Sequence, residues 1–193
     1  QLIVTDEGLQ HYKLARDNKR VAVYYHNSDV CKAINRDHLN PIHLTEDLAL
    51  RSGGMDQVPR LGPKVYATND LEHIVENNDF ILLCMTMSRL PELLNYLKPM
   101  IDRKAGDTCL ISPIKGLIAD EITSELITPS QLIYNHLYKL EHKCQVVCIG
   151  GPFFDVDIAL GKPVCLTVAG KRRTANMIRN HLLMFNRKEL NAY

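Results

Sequence analysis

The sequence predicts an α/β fold, a doubly wound and mostly parallel sheet, on three observations. Short apolar runs bounded by turn residues recur: VAVYY (21–25), KVYAT (64–68), FILLCMT (80–86), TCLIS (108–112), QVVCIG (145–150) and PVCLTVAG (163–170). Their near-continuous hydrophobicity suits strands covered on both faces. The segments between them carry apolar residues at helical spacing, and strand–helix alternation is the pattern of βαβ units with right-handed crossovers.

The opening, LIVTDEGLQHYKLARDNKRVAVYY (Leu2 to Tyr25), reads as strand, turn, helix and second strand, the entry to a dinucleotide-binding domain. That entry ordinarily carries G-x-G-x-x-G, for a tight turn, close backbone approach to a pyrophosphate and close helix–strand packing. Only Gly8 stands in this turn. SDVCKAINRDHLN comes next with Ser28 and Asp29 as N-cap candidates, and NDLEHIVENND with Asn69 and Asp70. Between them, 40–64 is punctuated by Gly and Pro and reads as a long loop. SRLPELLNYLKPMIDRK sets Leu90, Leu93, Leu94 and Leu97 at helical spacing; Pro91 fits a first turn, and Pro99 is expected to bend or end the helix. TPSQLIYNHLYKLEHK repeats the pattern with Leu132, Ile133, Leu137 and Leu140, and a basic terminal helix is expected over about 171–186.

A chain of 193 residues is read as one domain, 1–193. With 23 basic and 22 acidic residues, its net charge of +1 excludes a protein-wide electrostatic footprint for nucleic acid and leaves only local patches. No apolar run approaches the roughly 20 residues that cross a bilayer, so no membrane insertion is expected. Of six cysteines, Cys84, Cys109, Cys148 and Cys165 lie in strand-like runs and are expected as packed, reduced thiols. That usage fits a reducing intracellular compartment, cytoplasm or mitochondrial matrix. Cys144 and Cys148 lack partners at zinc spacing, so no metal site is expected. None of the eight histidines sits beside a Ser or Cys in a nucleophile elbow, and Met85, Met87 and Met100 read as core filler.

Four segments, LARDNKRVAVYYHN (14–27), NDLEHIVENNDFILLCMTMS (69–88), SPIKGL (112–117) and IGGPFFDVDIALGKPVCLTVAG (149–170), line up with one family. In order and spacing they resemble the N-terminal NAD-binding domain of NAD-dependent glycerol-3-phosphate dehydrogenase. The resemblance covers most of the chain and implies a Rossmann-like fold. It places family-equivalent cofactor positions at Gly8, Tyr25, Thr86, Lys115, Gly151 and Pro152. Lys115-Gly116 corresponds to a Lys-Gly pair whose lysine lies near substrate and nicotinamide. Gly151 to Asp157 corresponds to the family's Gly-Pro-Ser/Thr-Phe-Ala-x-Glu segment.

The departures from that pattern fall on the ligand side. Aligned without gaps, the fingerprint glycines land on Leu2, Val4 and Glu7, and Asp6 and Glu7 put carboxylates where a pyrophosphate needs backbone N–H groups. A Val-Pro-Ser turn has become Met85, Thr86 and Met87; Phe153 and Asp155 replace small residues, and Asp157 shortens a Glu. The family's second, helical domain, with its catalytic lysine, is expected to be missing.

These features point to a degenerate, non-catalytic relative that serves as a structural or interaction subunit of a larger assembly, an organellar one among the options. No cofactor is expected, no catalytic residue is assigned, and Lys115 is a vestigial substrate-lysine position. The alternative is an NAD-dependent glycerol-3-phosphate dehydrogenase fragment, interconverting glycerol 3-phosphate and dihydroxyacetone phosphate with NAD. Blander readings stand beside both: Lys115 as a solvated residue after a buried strand, and Gly151-Pro152 as a plain turn. Other protein subunits are the expected partners. RNA is a candidate through 171–188, with Lys171, Arg172, Arg173, Arg179, Arg187 and Lys188, although a solvated helix face is the commoner reading of such a run.

Overall fold

Alternation along the strands builds two cores, one on each face of a sheet. In β2 (Val21–Tyr24), Val21 and Val23 join one apolar cluster and Ala22 the other; in β5 (Thr108–Ser112), Cys109 and Ile111 join the first and Leu110 the second. The computed structural model describes residues 2–5, 20–43, 60–120, 123–154, 157–158, 163–185 and 190–192. With β1 (Leu2–Thr5), β3 (Val65–Thr68), β4 (Phe80–Cys84), β8 (Cys144–Gly150), β9 (Val164–Gly170) and β10 (Leu190–Ala192), these strands form one sheet in the order β10-β9-β8-β5-β4-β1-β2-β3. From β3 to β8 every pairing is parallel; β9 runs antiparallel to β8, and β10 parallel to β9. The parallel part has the strand order of the Rossmann fold, as expected. A small antiparallel hairpin, β6 (Ile118–Ala119) with β7 (Leu126–Ile127), carries too few residues to show a strand pattern in the sequence.

Helices cover the two faces. α1 (Ser28–Asp37) and α5 (Arg172–Phe185) contribute Ile34 and Ile178 to the first cluster. α2 (Leu71–Asn77), α3 (Leu90–Arg103) and α4 (Pro129–Leu137) contribute Ile74, Leu94 and Ile133 to the second, with Met85, Met87 and Met100 packed against it.

The caps correct the sequence reading in detail. Asn27, ahead of Ser28 and Asp29, caps α1, its Oδ1 accepting from the backbone N–H of Asp29 at 2.8 Å. Its extended backbone lets the short amide reach the orphan donors of the first turn. Of Asn69 and Asp70, it is Asp70 that caps α2, through the N–H of His73. Pro99 does not end α3, which runs on to Arg103: four buried leucines and Ile101 outweigh one lost hydrogen bond. At the edge strand β3, the Asn35 amide accepts from Ala67 N–H at 2.7 Å and donates to Ala67 C=O at 2.9 Å, closing that edge against further pairing.

β9 departs from the expectation of strands covered on both faces. Val164 and Leu166 are buried in the first cluster, whereas Cys165, Thr167 and Ala169, on the opposite face, are exposed. Cys165 is therefore an exposed thiol and Cys148 a half-buried one, while Cys31, Cys84, Cys109 and Cys144 are buried. Gly8, the stretch 44–59, Asp155, Arg187 and Lys188 lie outside the described residues.

Burial pushes the Cys109 thiol up to about 11 and the Cys144 thiol up to about 12. An unfolded chain releases these protons near pH 8.5, so the contribution to stability is level below that pH and falls as pH rises toward 11. Urea unfolding at neutral and alkaline pH is expected to show that fall, reduced by Cys144→Ala. In the native state a thiol reagent is expected to label Cys165 and to spare Cys109 and Cys144 until unfolding; equal labelling of Cys144 and Cys165 contradicts this.

Candidate functional site

The chain leaves β1 toward β2 and β3 on one side, then returns through β4, β5 and β8 on the other, so the crevice at the carboxyl ends of β1 and β4 is the switch point of the sheet. The turns that leave these strand ends set the chemistry the crevice can hold.

After β4, exposed Thr86 precedes a 3-10 turn, Met87–Arg89, its Oγ1 3.3 Å from Ser88 Oγ. After β5 come Lys115 and then Gly116, at φ +112°. A methyl group on Gly116 would lie 4.0 Å from Met87 Cβ, so the turns after β4 and β5 adjoin. After β8 stands Gly151 at φ +122°, where an added Cβ would meet the carbonyl oxygen of Cys165 at 2.6 Å. Both its backbone and the approach of β9 require glycine. Pro152 is exposed, Phe153 turns inward with 4% of its surface exposed, and Phe154 stands out with 67%.

Lys115 bridges the loops after β5 and β8. Its Nζ donates to the Phe153 carbonyl at 2.5 Å and lies over the Phe153 ring, 4.1 Å from the centroid, and 5.2 Å from that of Phe154. A carbonyl dipole and two electron-rich ring faces thus satisfy the cation from within the chain. Ser112, which ends β5, is buried, and among the described residues its hydroxyl has no hydrogen-bond partner.

Of the positions named from the sequence, Lys115, Gly151 and Pro152 come together, and Thr86 borders them through the Met87–Gly116 approach. Tyr25 does not join them. Its side chain lies in the first core with the ring stacked on His26 at 5.1 Å, and its carbonyl accepts from the Cys31 thiol. Sequence reasoning missed Phe153 as the partner of Lys115, since 38 residues separate them and no local pattern links them. It also read Ser112 only as the end of a strand. Among the described residues no group of three or more His, Cys, Asp or Glu is placed to hold a metal ion, and no helix is long and apolar enough to cross a membrane.

The family model of the NAD-dependent glycerol-3-phosphate dehydrogenase N-terminus matches residues 11–176. The chain belongs to this family. Glycerol-3-phosphate dehydrogenase [NAD(P)+] 1 of Lactobacillus delbrueckii subsp. bulgaricus is 26% identical over 156 residues, which are 81% of this chain and 41% of that protein. A second relative, from Syntrophobacter fumaroxidans, is 21% identical over 183 residues, 92% of this chain and 44% of that protein. The chain therefore spans less than half the length of these curated relatives.

Solved structures agree on the fold of this dehydrogenase-family domain. The glycerol-3-phosphate dehydrogenase of Coxiella burnetii superposes with a TM-score of 0.75 at 17% identity, over all of this chain and 52% of that one. The Plasmodium falciparum enzyme gives 0.76 at 16%, over all of this chain and 51% of that one. A GDP-mannose dehydrogenase from Pseudomonas aeruginosa still reaches 0.68 at 13%, over 99% of this chain and 44% of that one. The architecture is thus shared well beyond one substrate, and function resides in the site.

Proposed function

We propose that this glycerol-3-phosphate dehydrogenase-like domain has lost turnover and serves as a structural or interaction subunit of a larger assembly. The observation that carries the reading is the internal capture of Lys115. At the position that resembles the family's substrate lysine, the ammonium is held by the Phe153 carbonyl and by the rings of Phe153 and Phe154. The side chain stays exposed, so an anionic substrate would compete with the Phe153 carbonyl and the two ring faces for the ammonium. The sequence supports the same conclusion: Asp6 and Glu7 stand where the family pattern wants residues that accept a pyrophosphate, and of the fingerprint glycines only Gly8 is left. These residues do not fit NAD.

The competing reading is an NAD-dependent dehydrogenase half, with glycerol 3-phosphate and dihydroxyacetone phosphate as its substrate pair. The family match and the retained strand order favour it. A thermal-shift titration with NADH and NADPH separates the two. A ligand present at about 100 times its dissociation constant adds roughly 2.7 kcal/mol to stability, an easily measured rise in Tm. A flat response up to millimolar cofactor is the expected result. A saturable rise overturns the non-catalytic reading, and with Lys115→Ala as the companion variant it also reports whether that lysine takes part.

A further inference from the structure

Away from the crevice, at the opposite edge of the sheet, the fold gathers cations that are scattered in the sequence. The turn after α4 brings Lys139 and Lys143 to the start of β8. The β8–β9 register sets Val147 opposite Gly170, which carries Lys171, Arg172 and Arg173 alongside the first residues of β8; the Thr174 hydroxyl donates to Gln145 Oε1 and ties the two segments together. Five cations stand at this edge, against the acids Glu141 in the turn, Asp107 beside the start of β5, which pairs with the start of β8, and Asp102, whose backbone carbonyl accepts from Lys143 Nζ at 2.6 Å. Among the described residues none of Lys139, Lys171, Arg172 and Arg173 is paired with a carboxylate. Arg172 and Arg173 occupy the first turn of α5, which holds no acid and where the helix dipole opposes positive charge. Retaining them there costs stability unless negative charge arrives from outside.

Aromatic side chains adjoin the cations. Tyr138 is 52% exposed with Lys139 Nζ 5.8 Å from its ring centroid, and Tyr134, one helical turn earlier, is 56% exposed. The second face of β9 is uncovered as well, with Ala169 at this end of the strand and Cys165 at the crevice end beside Gly151. Cations that track a backbone, with aromatic faces beside them, are the combination that binds single-stranded nucleic acid: phosphates pair with Lys and Arg while bases stack on the rings. An acidic peptide would use the cations and leave the tyrosines idle.

We infer that the sheet edge formed by the amino end of β8 and the carboxyl end of β9, with Tyr138, is a binding surface for single-stranded RNA. It stands independently of whether the crevice holds a cofactor, so the cofactor titration and the RNA experiment fail separately. The experiment is fluorescence anisotropy of the 193-residue chain with a short labelled oligouridylate over a range of salt. Each phosphate contact contributes about −0.7 to the slope of log K against log salt on a single strand, so Lys171→Glu/Arg172→Glu/Arg173→Glu is expected to flatten the slope by about 2 and to weaken binding at least tenfold at low salt. Tyr138→Ala is expected to weaken binding several-fold at an unchanged slope. If the charge reversal fails to fold, the triple Gln variant replaces it. The inference is overturned if the wild-type chain does not bind at low salt, if the reversed variant binds equally well, or if polyglutamate competes as well as RNA, which assigns the patch to an acidic protein.

Discussion

Gly151→Ala is expected to destabilise the protein by about 3 kcal/mol, because it combines two separate penalties. The backbone at Gly151 has φ +122°, a conformation that an L side chain adopts only under strain. The new methyl would also meet the Cys165 carbonyl at 2.6 Å, and that oxygen belongs to the backbone of β9, so relief requires moving a strand. Gly116→Ala supplies the control. Its φ of +112° carries a similar conformational cost, yet its methyl would find nothing nearer than Met87 Cβ at 4.0 Å. Urea unfolding of both variants is expected to rank Gly151→Ala clearly below Gly116→Ala. Equal losses would mean that the approach of β9 adds nothing, and that the turn needs glycine for its backbone alone.

Phe153→Ala is expected to cost about 3–5 kcal/mol, the range for deleting a buried aromatic side chain. Phe153 is 4% exposed and packs in the core cluster that holds Ile111, Ile149 and Leu166. Its removal leaves a cavity at the end of β8 and takes away the nearer of the two rings that face Lys115. Phe154→Ala, at a residue 67% exposed, is expected to stay within about 1 kcal/mol of the wild type. Chemical denaturation measures both. If the two variants lose equally little, Phe153 is not a structural plug, and the loop after β8 is free to yield to a ligand. The same pair gives a second readout: NADH that stabilises Phe153→Ala but not the wild-type chain would identify the aromatic pair as what closes the crevice.

Much of the architecture was legible because it is local. Strands such as β5 and β8 announce themselves by unbroken apolar runs, and α3 by leucines at 90, 93, 94 and 97. Where local signals competed, the outcome shifted by a residue or was overruled. Asn27 took the cap from Ser28 because it alone has the extended backbone of a cap, and burial carried α3 through Pro99. The candidate site was half legible. Lys115, Gly151 and Pro152 lie at strand ends, which are readable. Tyr25, also at a strand end, is turned into the core by the pleat of β2.

By itself the sequence determined the α/β class, the likeness to a dinucleotide-binding domain and the losses in its glycine fingerprint, since each of these rests on residues within a few positions of one another. The tertiary structure alone decided what Lys115 touches, why Gly151 must be glycine, that β9 leaves one face and Cys165 uncovered, and that the turn carrying Lys139 and Lys143 lies at the same sheet edge as Lys171 to Arg173. Each of those depends on segments brought together by sheet pairing across tens of residues, where the energy of contact, and no periodicity along the chain, sets the result.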